Sequence, residues 1–360
     1  MTYGQRSAEA SEFFIIGADD LILVTGASGF MGPALVQSLL NHGFTNVRAF
    51  ARPSSNVVTL DTIAGRYRER ARVEVVRGNL LVIGDCITAT TGATVIFQLA
   101  TSDEKSFPGA FMNSVVTTRN LLETSVQYPG LRRFVNISSF AVYANTRKPG
   151  GRLLDESAPV EEQAVLRGDA YCFAKVKQDE IVAEYGRKWR VPYVIVRPGS
   201  VYGPGKAAVT GRVGIDTFGI LLHLGGSNAI PLTYIDNCAD AMVLAGLARG
   251  VDGEVFNVVD DDLPSSRKFL RLYKRHVGPV PSVYVPHAVS YGLCYLWEKY
   301  SDWSKGQLPP VFNRRRWHAE WKKTYYSNEK LKARVGWRPK VSTAEGLARY
   351  FQSCRERRRA

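Results

Sequence analysis

"LILVTGASGFMG", residues 21–32, joins a short apolar run to glycines at positions 26, 29 and 32. The run LILVT is almost continuously hydrophobic, the pattern of a strand covered on both faces. A helical pattern follows through residues 32–42. A glycine-rich turn between a strand and a helix lets backbone N–H groups approach a pyrophosphate, and the helix N-terminus adds partial positive charge. Gly26 suits the tight turn, Gly29 the approach of phosphate and Gly32 the close packing of helix on strand. Ser28, Phe30 and Met31 complete the loop. The spacing is GxxGxxG, unlike the GxGxxG of many dinucleotide binders, but its setting predicts a dinucleotide cofactor.

Further apolar runs repeat the pattern. VRAF (47–50), VEVV (73–76), TVIFQLA (94–100), FVNIS (134–138) and YVIVR (193–197) alternate with helical stretches, among them an amphipathic segment at 111–127. Such alternation predicts an α/β fold, a Rossmann-type doubly wound parallel sheet. Past residue 200 the rhythm becomes irregular and rich in glycine and proline. One more strand, EVFNVV (254–259), precedes a turn, DDDLPSSRKF, that leads into a capped helix. The organisation expected is a loose N-terminal arm (1–19), a dinucleotide-binding domain (20–200), a smaller C-terminal substrate-binding region (201–350) that returns some strands to the main sheet, and a basic tail (351–360).

At 360 residues, with 45% hydrophobic and 11% aromatic content, the chain can build a sizeable core. No run approaches 18 apolar residues, so a spanning helix is not expected. The N-terminus has no signal-peptide pattern, and the five scattered cysteines suggest neither a zinc site nor a disulfide framework, so a reducing cytoplasm is the expected location. The net charge of +14 is uneven: residues 301–360 carry 16 Lys/Arg against 5 Asp/Glu. A solvated C-terminal helix explains this better than nucleic-acid binding, for which no module is recognisable. The aromatic stretch 282–303 is expected to cover the substrate pocket or pack as core, in preference to lying on a membrane surface.

Two short segments bear on chemistry. In YCFAK (171–175), Tyr171 and Lys175 stand four apart, on one face of a helix. An ammonium beside a phenol favours the phenolate and lowers a pKa that is ordinarily about 10. A tyrosine so tuned can exchange a proton with an alcohol or ketone. After the second strand the chain reads VRAFARPSS, with Arg52 where an acidic residue would hold a ribose 2′-OH. Arg52 suits a 2′-phosphate, which favours NADP(H) over NAD(H); the alternative is that it stacks on adenine or faces solvent.

Together, TGASGFMG, the serine pair of NISSFAVYA, YCFAK and RPGSVYGPG resemble the extended short-chain dehydrogenase/reductase superfamily, over roughly residues 20–350. The resemblance implies that Ser139 hydrogen-bonds the substrate oxygen, that Tyr171 is the acid/base and that Lys175 binds the nicotinamide ribose and tunes Tyr171. It further implies that Asn113 supports the active site, that Asn79 and Leu80 flank the adenine, and that Leu99, Ala100, Thr101, Pro198 and Ser200 border the cofactor. Structural alternatives remain for Asn79 (capping a turn), Asn113 (satisfying a carbonyl) and Tyr143 (packing). A homodimer through the helices at 111–127 and 171–187 is also implied.

Departures narrow the chemistry. Phe140 and Ala141 follow Ser139 where sugar dehydratases of the superfamily have Asp-Glu, and Ser200 stands where epimerases commonly have Asn. LTYIDNCADA (232–241) and the C-terminal segments look similar to the 3β-hydroxysteroid dehydrogenase and dihydroflavonol reductase branches. The expected activity is hydride transfer between NAD(P)(H) and a secondary alcohol or ketone of a cyclic small-molecule substrate. A nucleotide-sugar 4-epimerase retaining NAD is the first alternative, and would need Arg212 or the run 314–316 to clamp a diphosphate. A non-catalytic cofactor-binding protein is the second.

Overall fold

The structure is a computed structural model that describes residues 13–101, 104–146, 153–206, 210–305, 307 and 312–359. Residues 1–12 of the expected arm and Ala360 of the expected tail lie outside the described residues. Seven strands form the central sheet: β1 (Ile22–Thr25), β2 (Asn46–Ala51), β3 (Arg72–Arg77), β4 (Val95–Gln98), β5 (Arg133–Ile137), β6 (Tyr193–Pro198) and β7 (Val255–Val258). Their order is β3-β2-β1-β4-β5-β6-β7 and every pairing is parallel. The order reverses between β1 and β4, which opens a crevice at the carboxyl ends of those strands.

Helices cover both faces, as the near-continuous hydrophobicity of the strands requires. On one face, α1 (Gly32–Asn41) and α2 (Val58–Tyr67) bury Leu35, Val36, Leu39, Leu60 and Ile63 against Val24, Val47 and Val95. On the other, α3 (Ile83–Thr90), α4 (Thr117–Val126) and α5 (Ala170–Trp189) bury Cys86, Leu121, Leu122 and Val182 against Leu23, Ile96 and Phe134.

The structure departs from expectation in three places. A helix, α6 (Ile235–Leu247), packs on the first face beside α1, with Cys238, Ala241, Met242 and Val243 wholly buried. A helix buried nearly all round carries no amphipathic period, so its sequence signal is weak. Phe14 and Ile16, placed in a loose arm, are instead buried in the same core, and Ile15 N–H donates to Leu247 O at 2.9 Å. The expected basic tail is the end of a helix, Thr343–Arg359, that buries Phe351 and Cys354 beside Phe269 and Tyr273. The capped helix after DDDLPSSRKF forms as expected at Ser266–His276, with Ser265 accepting from Lys268 N–H. No helix among the described residues is long and apolar enough to cross a membrane.

Two buried polar arrangements fix α5 against the sheet. In the first, Asp179 accepts from Asn136 of β5 at 2.9 Å, from Ser138 at 2.9 Å and from the guanidinium of Arg197 of β6 at 3.0 and 3.2 Å. Burial pushes the Asp179 carboxyl up, and Arg197 opposes that shift most strongly. The second is a chain of side chains with almost no solvent contact. Thr25 Oγ1 of β1 donates to Gln98 Oε1 of β4. Gln98 Nε2 and Gln178 Nε2 both donate to Thr118 Oγ1, at 2.9 and 2.7 Å, and Thr118 donates to Ser114 O. Gln178 Oε1 in turn accepts from Lys175 Nζ at 2.9 Å, and Ile137 O accepts from the same amine at 2.8 Å.

Burial lowers the Lys175 amine from its ordinary 10.5 to about 8, with Asp179 acting the other way. The folded protein therefore binds fewer protons than the unfolded chain between those values, and this group makes stability rise with pH across that window. Gln178→Leu removes an acceptor from the ammonium and should cost about 1–3 kcal/mol below pH 8. The loss should shrink once the amine is neutral, which urea unfolding at pH 7 and pH 9 would measure. Arg197→Met leaves a buried carboxylate uncompensated and should cost about 3–5 kcal/mol. Adding Asp179→Asn should recover part of that loss in a double-mutant cycle.

Candidate active site

The crevice at the sheet's switch point is a cavity of about 810 Å³. Its floor is the loop between β1 and α1. Gly26 has φ +64°, and a Cβ there would sit 2.9 Å from Ala100 N. A Cβ on Gly32 would lie 2.2 Å from Ala27 O, so glycine is required for the helix to start this close to the loop. The N-cap, Met31, gives no side-chain hydrogen bond to the first turn, and that turn holds no acidic residue. Helix N–H groups left unmatched in this way suit an anion, and the loop fits the pyrophosphate of a dinucleotide.

Most of the residues singled out from the sequence converge here. Gly26, Ser28, Gly29, Phe30, Met31, Gly32, Arg52, Asn79, Leu80, Leu99, Ala100, Thr101, Asn113, Ser139, Tyr171 and Ser200 all line the cavity. Pro198 ends β6 behind it, and Lys175 is buried one helical turn beneath Tyr171, its Nζ 6.0 Å from the ring centroid. Tyr171 opens α5 under a cap in which Asp169 accepts from the N–H groups of Tyr171 and Cys172, both at 3.1 Å. The carboxylate cap fixes where the helix starts, and with it the height of the tyrosine over the cavity. Ser139 follows β5 and caps a short turn, Phe140–Val142, by accepting from Ala141 N–H.

Several side chains also carry the structural jobs allowed for them. Asn79 caps a turn by accepting from Leu81 N–H at 3.0 Å, and its own N–H donates to Asp85. Asn113 donates to Gly109 O at 3.0 Å from a π-helical turn, Phe111–Val116, that interrupts the expected helix over 111–127. Thr117 and Thr118 donate to carbonyls of that turn, the competition with the backbone that loosens a helix. Tyr143 is packing and more: it is buried, donates to Asn257 Oδ1 at 2.7 Å and lies under Arg197. Burial raises its pKa, which keeps the phenol neutral.

Other lining residues went unread in the sequence. Lys206 places its ammonium 5.2 Å from the Phe30 ring centroid, beside the glycine loop. VYGPGK, which holds it, lies far from the glycine loop in sequence, and only the fold brings the two together. Tyr350 and Phe269 reach the cavity from elements far away in sequence, and nothing local announces them. Arg77 holds the loop after β2 by donating to Pro53 O at 2.7 Å and Ser55 O at 3.1 Å, which presents Arg52, itself exposed, at the cavity edge. Arg212 and the run 314–316 are engaged with protein: Arg212 with Ala319 O and Tyr326, Arg314 with Glu298, Arg315 with Glu161, and Arg316 with Glu320.

Comparisons with known proteins bear on the family and the fold. A trifunctional UDP-glucose 4,6-dehydratase/UDP-4-keto-6-deoxy-D-glucose 3,5-epimerase/UDP-4-keto-L-rhamnose-reductase of Arabidopsis thaliana is 26% identical over 266 residues. That match takes in 66% of this chain but only 36% of the relative's length. A 3beta-hydroxysteroid-dehydrogenase/decarboxylase of the same plant is 24% identical over 353 residues, covering 92% of this chain and 79% of that protein. Among solved structures, UDP-glucuronic acid 4-epimerase from Bacillus cereus, in complex with UDP-glucuronic acid and NAD, superposes with a TM-score of 0.69 at 21% identity. It covers 93% of this chain and 99% of its own, a likeness of fold. The model of the NAD dependent epimerase/dehydratase family matches residues 22–258, from the first residue of β1 to the last of β7. The chain therefore belongs to the NAD dependent epimerase/dehydratase family, whose members are oxidoreductases and epimerases of the extended short-chain type.

Proposed function

We propose that the protein transfers a hydride between NADP(H) and a secondary alcohol or ketone of a cyclic small molecule. The observation that carries this reading is the meeting of Ser139 and Tyr171 with the glycine loop on one cavity, above a buried Lys175. The nicotinamide, when bound, accepts or supplies the hydride. The chain's own residues handle position and protons. Ser139 Oγ donates a hydrogen bond to the substrate oxygen. Tyr171 gives its phenolic proton to that oxygen in reduction and takes it back in oxidation. Lys175 holds the ribose hydroxyls and, as ammonium, favours the phenolate left on Tyr171. The Gln178 and Ile137 acceptors fix the amine, so little reorganisation is needed when the phenolate forms.

The 2′-phosphate preference rests on Arg52, exposed at the cavity edge where β2 ends. A nucleotide-sugar substrate is less favoured, because the arginines that would clamp its diphosphate already serve protein partners. A homodimer through α4 and α5 belongs to the same reading, and Phe111 and Met112 are exposed beside those helices.

Tyr171→Phe should lower kcat for ketone reduction at least about 100-fold while cofactor binding persists. The wild-type kcat/KM for reduction should fall as pH rises through about 8, where the Lys175 ammonium loses its proton. Near-normal turnover in the phenylalanine variant would refute the assignment. Freshly purified protein, once denatured, should release little nucleotide, and the empty site should take NADPH more tightly than NADH. Arg52→Ala should raise the NADPH dissociation constant about tenfold and leave NADH nearly unchanged. Stoichiometric NAD in the purified protein would instead favour the epimerase cycle.

A further inference from the structure

The aromatic stretch at 282–303 does not line the cavity, and it packs as core only in part, through Cys294 and the half-buried Val285 and Tyr291. It forms a short strand, Ser282–Tyr284, and a helix, His287–Trp303. The helix gives the protein interior only Ser290, Cys294 and Ser301 as fully buried residues. Tyr291 and Trp297 are half-buried against Trp317 and Phe312, but the other large apolar residues face outward. Val289, Leu293, Leu296, Tyr300 and Trp303 follow one another at intervals of four and three, which at 3.6 residues per turn confines them to an arc of about 80°. Leu296 is 62% exposed and Trp303 77%. A soluble helix normally turns such a stripe towards the core.

The stripe has company. Val283 and Tyr284 of the strand leading into the helix are exposed. Val283 pairs in register with Leu222 of the neighbouring strand Ile220–His223, whose first residue, Ile220, is exposed too. The hairpin preceding that strand projects Phe218 fully into solvent, at φ +53°. Two independent elements therefore present bulky apolar side chains with nothing over them among the described residues.

Cations surround this face. Arg267 lies over the Tyr284 ring, Lys274 donates to Ser282 at 2.6 Å, and Lys299 lies over Tyr295. Arg358 packs against Gly278, four residues before the strand, and over Tyr273, which brings the arginine-rich end of the C-terminal helix to the same edge. Lys305 follows Trp303. The acids here are Asp216 in the hairpin, Asp302, and Glu298, which is paired with Arg314.

We propose that this face docks the protein on an anionic lipid bilayer, with the helix His287–Trp303 lying in the interface and Phe218 as a second point of insertion. An apolar stripe ending in Tyr and Trp and bordered by Lys and Arg is the composition that an interfacial helix needs. Charge decides between bilayer and second copy. Pairing two chains of net charge +14 through a cationic rim brings like charges together, whereas anionic lipid neutralises them. The inference does not depend on the reaction proposed above.

Flotation of the intact protein with phosphatidylcholine vesicles, with and without phosphatidylglycerol, tests it. Binding should be at least about tenfold stronger with phosphatidylglycerol and should weaken as salt rises. Leu293→Glu with Leu296→Glu should lower that binding about tenfold, with circular dichroism and NADPH binding unchanged. Trp303→Ser, at a position 77% exposed, should lower it in the same direction. Replacing Arg357, Arg358 and Arg359 by Gln should flatten the salt dependence. No retention on phosphatidylglycerol vesicles at low salt, equal retention on neutral ones, or full binding by the glutamate variant would each overturn the proposal. So would a dimer, measured by light scattering, that the glutamate variant splits into monomers, because the face would then belong to a second copy.

Discussion

The Asp179 carboxylate, held by Arg197, Ser138 and Asn136, is the contact on which the geometry of the site depends. A buried ion pair adds little net stability over a well-packed apolar pair, but breaking it is costly, because one charge is left without a partner in a medium of low dielectric constant. That asymmetry makes it a positional device. With its partners on β5, just past β5 and on β6, Asp179 can occupy only one height along the strands. Lys175 is one turn before it on the same helix and Tyr171 one turn before that. The three residues thus form a ladder with a single rung fixed by charge, and the ladder ends at the cavity.

The second polar chain runs from another direction. Thr25 closes the strand that feeds the glycine loop, and four hydrogen bonds later the chain reaches the Lys175 amine through Gln98, Thr118 and Gln178. Every member is buried and each has partners, the condition under which a polar network rigidifies a core instead of weakening it. The consequence is geometric: the loop suited to the cofactor phosphates and the helix carrying Tyr171 share one hydrogen-bonded frame across the sheet. A burial cost that lowers the lysine pKa to about 8 still leaves it an ammonium at neutral pH.

How much of this could be read beforehand followed from the range of the forces involved. Local signals were sufficient for the parallel strands, the glycine loop and the YCFAK helix, because hydrophobic runs, glycines without Cβ and a four-residue spacing act over a few neighbours. Where a helix is buried all round, as at Ile235–Leu247, periodicity vanishes and the segment looked irregular. Phe14 looked like part of a loose arm because the surfaces that bury it, around Phe44 and Ala248, are distant in sequence. Lining residues such as Tyr350 and Phe269 were invisible for the same reason. Gln178 differs: its place one turn past Lys175 was plain, but its value lies in Thr118 and Gln98, which only the fold brings to it.

The irregular second half shows what the regular first half leaves open. Strands β1 to β6 set where a dinucleotide can lie, and their ends offer the same crevice to any member of the family. Elements that follow β6 complete the cavity wall, through Tyr202, Phe269 and Tyr350, and supply much of the outer surface. There the large apolar residues are used in two opposite ways. Phe269, Tyr273, Tyr350 and Phe351 stack inward and support the cavity's far wall. Leu293, Leu296, Tyr300 and Trp303, of equal hydrophobicity, face solvent. Burial energy alone would have turned both sets inward, since each large apolar side chain left in water forgoes about 1.5–3 kcal/mol. Ser290, Cys294 and Ser301, small enough to let the helix His287–Trp303 lie close on the body, occupy its inner side in their place. With Tyr291 and Trp297 half-buried beside them, these small residues seat the helix and leave its outer apolar stripe in solvent, the arrangement that the docking proposed above would cover.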